Sequence, residues 1–408
     1  MLIIKMALRN VLRQRRRSFI TICSMAIGFA LLSISLSISE GSYNVIIKQF
    51  TENITGHIQI HTEHYLDRPS LNSKIKSPEK IVTIIEKNLD NPIVASRIKG
   101  GALAYGVKRV LPAAVIGVQV EREDKLSSLS RKVKKGLYFS NVAEENHYEA
   151  LLGSKLANNL KIKVGDDLVL IATGADGSIA NDLFQVKGIV GSLDSMEANN
   201  IYLSEGGAKR FFSIYNAAHE IVILLPNHND IYSAKDTLIR SLQEQPKLAV
   251  NTWQEVEKQF YQSMVADKKG NNVTSFIIIL MVAIGVLNTV LMSVLERMHE
   301  YGLLRAIGVR PSNIISLVLS ESSLLATLSC FLGSAISLPV NYWFAIEGIE
   351  LEHSIEVGGM AFNRIVGEVS AQGTIVPFIV VFFTTILVSI FPAIKAASVP
   401  PTEALERG

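Results

Sequence analysis

The chain has only two cysteines, Cys23 and Cys330, and both lie inside long apolar runs. No disulfide framework can therefore staple its polar part, which must bury a core of its own. Catalytic signatures are also missing. No HExxH, GxSxG or SxxK segment occurs, which leaves a membrane hydrolase without its machinery. The phosphate loop GxxxxGK[ST] is absent too. Its nearest fragment, Gly153-Ser154-Lys155, lacks the upstream glycine and is expected to follow no suitable strand, so ATP is not hydrolysed by this chain. No basic patch with interleaved aromatics points to nucleic acid, and a net charge of +3 decides nothing by itself. Most informative is the absence of any charge from Phe19 to Ser39, Thr274 to Leu295 and Thr374 to Ile394.

About 20 residues of helix rise roughly 30 Å, the thickness of a bilayer's hydrocarbon core. A fourth run, Ile314 to Phe344, is broken only by Glu321 and Pro339. Spans are thus expected at 18–45, 273–297, 313–345 and 374–397, with a water-exposed domain over 46–272 and a short outer loop over 346–373. The chain is 48% hydrophobic, yet the 19% of charged residues are enough to solvate such a domain. Lys5, Arg9, Arg13, Arg15, Arg16 and Arg17 precede the first run, Arg297, Arg305 and Arg310 lie between the second and third, and Lys395 and Arg407 follow the fourth. The loop between the third and fourth is acidic, with Glu347, Glu350, Glu352, Glu356 and Glu368 against Arg364. Basic flanks stay in the cytoplasm, so both termini are expected inside and the large domain outside. The first run is longer than the roughly 7–15 apolar residues of a cleaved signal peptide, and it reads as an uncleaved anchor.

Within the outer domain, GHIQIHTEHY at 56–65 alternates as a strand, with Ile58 and Ile60 on one face and His57, Gln59 and His61 on a solvated one. His57, His61 and His64 invite a metal, but residues four apart on a strand are separated by about 13 Å, so no metal site is expected. Ser77 and Pro78 open a helix striped by Ile81, Ile84, Ile85 and Leu89, and an extended run begins near Ile93. This β-α-β unit is matched late in the domain by a strand at Glu220 to Leu225, a helix from Asp230 to Leu242 and a strand at Leu248 to Asn251. Between them GSKLANNLKIKVGDDLVLI suggests helix, turn and strand, and Gly174 to Ser178 joins a hairpin ending at Phe184 to Val190. The reading is an α+β domain of two halves with a β-rich insert at about 108–216. Asp166, Asp167 and Glu197 read as turn formers rather than acid–base catalysts.

The sharpest signal is ERMHEYGLLRAIGVRPSNI between the second and third runs, expected as a cytoplasmic segment over 298–312. A helix from Glu300 to Ile307 sets Leu303, Leu304 and Ile307 on one side; Gly308 terminates it and Pro311 starts the next. The small residues Gly302, Ala306 and Gly308 permit close approach of another chain. EYGLLRAIGVRPSNI resembles the coupling helix of FtsX-like ABC-transporter permeases, the family that includes macrolide exporters and lipoprotein-releasing systems. The resemblance extends to a basic amphipathic helix over 1–17 (LRNVLRQRRRSFIT), one span, a large domain, three spans and a tail over 398–408. The closing PAIKAASVPPTEALE is similar to the family's ending at Pro392, Ala396, Ala397, Pro401, Glu403, Ala404 and Leu405. TGHIQIHTEHYLDRPSL looks closer to the lipoprotein-releasing members, the LolC/LolE type.

The resemblance implies a bacterial inner-membrane permease with a periplasmic domain that works as a dimer with a second copy or paralogue. Glu300, Tyr301, Gly302, Leu303, Leu304, Arg305, Ala306, Ile307 and Gly308 would dock a cytoplasmic ATPase dimer that binds ATP and Mg, this chain carrying no cofactor. Cargo would be a lipoprotein or another amphiphile taken from membrane lipid. The alternative is a transmitter that uses the same stroke to regulate a periplasmic partner such as a cell-wall hydrolase. Ser329, Gly333 and Ser337, and Ser24 with Gly28, form small-residue stripes for helix packing, either at a dimer seam or within one subunit. Glu321 is expected near the inner interface, snorkelling or paired with Arg310. WQEVEKQFYQSMVADKK could extend the second span outward as a stalk.

Overall fold

The computed structural model describes residues 2–13, 15–106, 109–140, 148–227, 230–245, 247–357 and 360–398. Contacts divide the chain into two compact units, one of residues 46–263 and 353–363 and one of 1–45, 264–352 and 364–408. Helix α1 (Leu2–Arg13) is followed by α2 (Arg15–Phe50), which ends in a π-helical turn, Thr51–Thr55.

In the first of these units the π-turn leads through Gly56 into β1 (Ile58–Thr62), then β2 (Ile75–Lys76), α3 (Pro78–Asn88), β3 (Ile93–Tyr105) and β4 (Val110–Val118). Next come α4 (Val120–Ser127), β5 (Val133–Gly136), β6 (Glu149–Gly153), α5 (Ser154–Leu160), β7 (Asp167–Thr173), β8 (Ile179–Val190), β9 (Asn200–Ser204) and α6 (Glu205–Phe211). The unit closes with β10 (Ala217–Ala218), β11 (Glu220–Leu224), α7 (Ile231–Ser241), β12 (Leu248–Thr252) and α8 (Trp253–Val256). The two β-α-β stretches interleave: β12, β1, β11 and β3 lie side by side, every neighbour antiparallel.

Strand β3 serves two structures. Its first residues pair with β11, while Leu103–Tyr105 pair with β7, and β4 lies along its other edge. Following the pairings from β3 through β4, β9, β6, β8 and β7 returns to β3, so six strands close a barrel. The barrel thus takes in chain from before residue 108. Its centre is filled by Phe184, Phe211, Phe212, Leu152 and Leu170. Gly100 sits where β3 leaves one sheet for the other, and a Cβ there would come within 2.5 Å of the Phe212 ring.

Three readings of this unit change. Strand β1 is central, so His57, Gln59 and His61 are buried rather than solvated. His57 Nδ1 accepts from the Leu225 amide (3.0 Å), Gln59 donates to the Thr55 carbonyl (2.7 Å), and His61 stacks on Tyr65. Alternation marked the two faces correctly but could not show that both are covered. Ser77 has φ of 50° and its side chain caps nothing, although Pro78 does open α3. Gly153-Ser154-Lys155 does follow a strand, β6, but a Cβ on Gly153 would lie 2.2 Å from the Glu197 carbonyl, so the loop is packed shut. Asp166 accepts from the Lys163 amide in a turn (2.8 Å), and Glu197 pairs with Lys132 (2.6 Å).

At the centre lies Arg97, only 5% exposed. Its guanidinium makes a two-pronged bond to Glu123 (2.7 and 2.9 Å), faces Glu220 at 3.5 Å and donates to the Ile54 carbonyl of the π-turn at 2.6 Å. Lys99 adds a second cation on Glu220, at 2.8 Å. Burial works against the Arg97 charge, yet Glu123 and Glu220 hold its pKa above the ordinary value. Burial likewise opposes the Glu220 carboxylate, but Lys99 and Arg97 keep its pKa low. His61, 3.9 Å from Glu220, is pushed down to about 4, chiefly by burial and only partly opposed by that carboxylate.

The other unit contains α1, most of α2, most of α9 (Lys258–Glu296), α10 (Met298–Ala306), α11 (Pro311–Ile346) and α12 (Gln372–Ala397), while the residues of β13 (Ile349–Val357) and β14 (Met360–Ile365) are divided between the two units. β13 and β14 form a hairpin within the segment expected as a loop. Helices α2, α9, α11 and α12 are each long and apolar enough to cross a membrane. At 1.5 Å per residue α9 is roughly 58 Å long, nearly twice the hydrocarbon thickness. Buried polar side chains between these helices are mostly hydroxyls, among them Ser33, Ser37, Ser329, Ser337, Thr385 and Ser389. Ser33 donates to the Gly373 carbonyl (2.7 Å) and Ser37 to that of Glu368 (2.8 Å), so short side chains tie helices without burying charge.

Candidate functional site

Helix α10 fills the short link between α9 and α11, and its two ends are built differently. At the C-terminal end the Val309 amide donates to the Leu304 carbonyl (3.0 Å) and the Gly308 amide to that of Arg305 (3.1 Å). With Gly308 at φ of 92°, this is a Schellman cap, and Leu304 and Val309 both pack against the core cluster of the helices. Pro311 then opens α11 at its first turn. The link cannot fray into a loop.

At the other end Arg297, just ahead of α10, binds Glu300 (2.8 Å) and both oxygens of Glu321 (3.0 and 3.1 Å), and lies 5.2 Å from the centre of the Tyr301 ring. Asn10 of α1 donates to Glu321 at 2.5 Å, and Arg13 approaches Glu300 at 3.6 Å. Glu321 therefore pairs with Arg297 rather than Arg310. The separation of 24 residues is bridged because α9 and α11 run back past each other through α10. Glu321 balances the charge of Arg297 beside it. Burial, and then Glu321, raise the pKa of Tyr301. The chemistry is a clamp: α1, α10 and α11 are held to one another by charge-assisted bonds.

The nine residues of the expected docking segment separate into two faces. Tyr301 and Gly302 are buried, and Leu304 and Arg305 are half-buried. Tyr301 packs in the same cluster as Ala393, Ala396 and Ala397 of α12, whose small side chains admit the ring. Leu303, Ala306, Ile307, Gly308 and Glu300 face outward. Leu303 is 49% exposed and Ile307, one turn on, 71%. Leu304 thus leaves the expected outer stripe for the inside. The helix itself spans Met298–Ala306, two residues earlier at its start than the periodicity placed it.

The two glycines of the small-residue stripes each pack against another helix of this chain. A Cβ on Gly28 would lie 2.2 Å from Val282 of α9, and one on Gly333 2.7 Å from Phe29 of α2. Ser329 and Ser337 are buried, while Ser24 is exposed. Of the family-like ending, Pro392, Ala396 and Ala397 are buried in α12. Pro401, Glu403, Ala404 and Leu405 lie outside the described residues. Among the described residues no group of three His, Cys, Asp or Glu side chains is arranged to hold a metal. The clamp residues Arg297, Asn10 and Arg13 were not singled out as a site from sequence. The only signal for them was an unexplained glutamate in an apolar run.

Comparison with known proteins agrees with this architecture. The family model for the MacB-like periplasmic core domain matches residues 18–240, and that for the FtsX-like permease C-terminal region matches 272–401. The lipoprotein-releasing system transmembrane protein LolC of Xylella fastidiosa is 22% identical over 98% of this chain and 98% of its own length. An uncharacterized ABC transporter permease of Methanocaldococcus jannaschii is 21% identical over 99% and 97%. The macrolide export ATP-binding/permease protein MacB 2 of Aeromonas hydrophila is 24% identical over 99% of this chain, which spans 60% of that protein. The chain belongs to the FtsX-like ABC-transporter permeases that carry a MacB-like periplasmic core domain.

Proposed function

We propose that α10 docks a separate cytoplasmic ATPase, which binds ATP and Mg, and that this permease passes the ATPase's stroke to its periplasmic domain to move a lipoprotein or another amphiphile out of the inner membrane. The observation that carries this reading is the pair Leu303 and Ile307. They are large, apolar and exposed on a helix that is capped at one end and clamped at the other. A fold gains nothing from presenting such a pair to water, whereas a partner that covers it gains about 2 kcal/mol or more per well-packed anchor. The clamp then gives the stroke a rigid path from α10 into α1 and α11. Cargo of lipoprotein type is supported by the name of the LolC relative, and the ATPase by the joined ATP-binding and permease functions in the name of MacB 2. Both termini would be cytoplasmic, with a second permease copy or paralogue completing the assembly.

Glu321, the only charge within the four apolar runs, is already neutralised by Arg297, which argues for levers rather than a hydrophilic channel. Leu303→Asp with Ile307→Asp should strip the ATPase from the purified complex and lower stimulated turnover at least tenfold, with helical content unchanged. Retention of the ATPase with normal turnover would sink the proposal. Orientation is checked separately in a Cys23→Ala, Cys330→Ala background. A cysteine at Ser178 should react with an impermeant thiol reagent in intact cells, and one at Ser312 should not.

A further inference from the structure

A groove of about 690 Å³ opens between the junction of α1 with α2 and the Glu296 end of α9. Its rim carries Arg13, Arg15, Arg16 and Arg17 against one carboxylate, Glu296. Arg17 is already engaged, since it pairs with Glu296 and donates to the Thr289 carbonyl at 2.6 Å, which joins the two walls. Arg13 leans toward Glu300. Arg15 and Arg16 are exposed and have no ion-pair partner among the described residues. Two adjacent guanidiniums without a carboxylate repel each other, and the fold supplies nothing to offset this.

Below the rim the groove turns apolar. Ile20, three residues into α2 from Arg17, is 60% exposed, and Met292, four residues before Glu296, is 54% exposed. Each lies about one helical turn, or roughly 5 Å, deeper than the charged ring. These helices are long and apolar enough to cross a membrane, so the arginines fall at headgroup level and Ile20 and Met292 at the start of the acyl region. Guanidinium is the side chain best suited to two-pronged binding of a phosphate. An acidic protein partner or a free phosphate would satisfy the arginines but would leave the apolar wall uncovered.

We propose that this groove binds an anionic phospholipid, its phosphodiester on Arg15 and Arg16 and one acyl chain along Ile20 and Met292. The lipid would reinforce the junction of α2 and α9 that the Arg17–Glu296 pair already makes. The proposal does not depend on ATPase docking.

The test is native mass spectrometry of the full chain in detergent, titrated with palmitoyl-oleoyl phosphatidylglycerol or the matching phosphatidylcholine. The wild type should prefer the glycerol lipid by about twentyfold, each arginine at the headgroup plane contributing a factor of about five. Arg15→Gln with Arg16→Gln should abolish the preference, while Lys268→Gln with Lys269→Gln, elsewhere on α9, should preserve it. If the arginine variant does not fold, a photoreactive phosphatidylglycerol on wild-type protein should label peptides covering 15–20 and 288–296. Equal binding of the two lipids by wild type, retained preference in the arginine variant, or labelling spread evenly over the chain would each overturn the proposal. So would full competition by inorganic phosphate, which would make the site one for the free anion. Loss of the ATPase from the arginine variant with lipid preference intact would assign the groove to a protein and overturn it too.

Discussion

Arg97 and Arg297 each gather two glutamates, but one network is closed and the other open. Around Arg97 every partner sits on a strand, a helix or the π-turn of one unit, and both carboxylates are almost fully buried. Around Arg297 the network leads outward, because Glu300 is 43% exposed and passes contact on to Arg13 of α1. The same chemistry therefore anchors in one place and links in the other. A closed cage resists displacement of any member. A chain of pairs with an exposed end lets neighbouring helices move together while they remain attached.

The largest expected effect follows from breaking the closed network. Arg97→Met strands Glu123 and Glu220 as buried charges and should cost about 3–5 kcal/mol. Hydrogen exchange of the full chain should show lost protection in β1, β3 and β11 with α9, α11 and α12 unchanged. A loss under about 1 kcal/mol would mean that water reaches the site and the cage is not closed.

Acid should loosen the same region. His61 titrates near 4 in the folded chain and near its ordinary value when unfolded. Below that ordinary value the unfolded state binds the extra proton, so stability falls as pH drops from about 6.5 to 4, by up to about 3 kcal/mol. Glu220, held low, is protonated only at more acid pH and adds to the loss there, with the same sign. His61→Gln should flatten the decline between pH 6.5 and 4, and an unchanged slope would place its origin elsewhere.

For the open network the prediction concerns coupling more than folding. Glu321→Gln should cost only about 1–2 kcal/mol, yet lower ATPase stimulation several-fold. In a double-mutant cycle with Arg297→Gln the two effects should be non-additive by about 1 kcal/mol. Additive effects would deny the pair its role. Gly308→Ala should be milder, about 1 kcal/mol for placing a Cβ in the left-handed region, seen as faster exchange of the last turn of α10.

Local signals carried much of the fold. The four apolar runs, the proline starts at Pro78 and Pro311 and the glycine stop at Gly308 depend on neighbouring residues, and each falls where sequence placed it. What sequence could not show depends on distant chain. The burial of His57 and His61 requires β11 and β12 to flank β1. The pairing of Glu321 with Arg297 requires two helices to run antiparallel. Closure of the barrel requires β3 to leave one sheet for another at Gly100. Even within α10, periodicity grouped Leu304 with Leu303 and Ile307, whereas Leu304 packs against the core cluster of the helices.

The central claim, that the outer face of α10 meets an ATPase, is tested most directly by placing a photo-crosslinking side chain at Ile307 and, separately, at Leu304 in cells. Ile307 should capture an ATP-binding subunit, identified by mass spectrometry, whereas Leu304 should crosslink only within its own chain. Capture of the ATPase from neither position, or equally from both, would contradict the account.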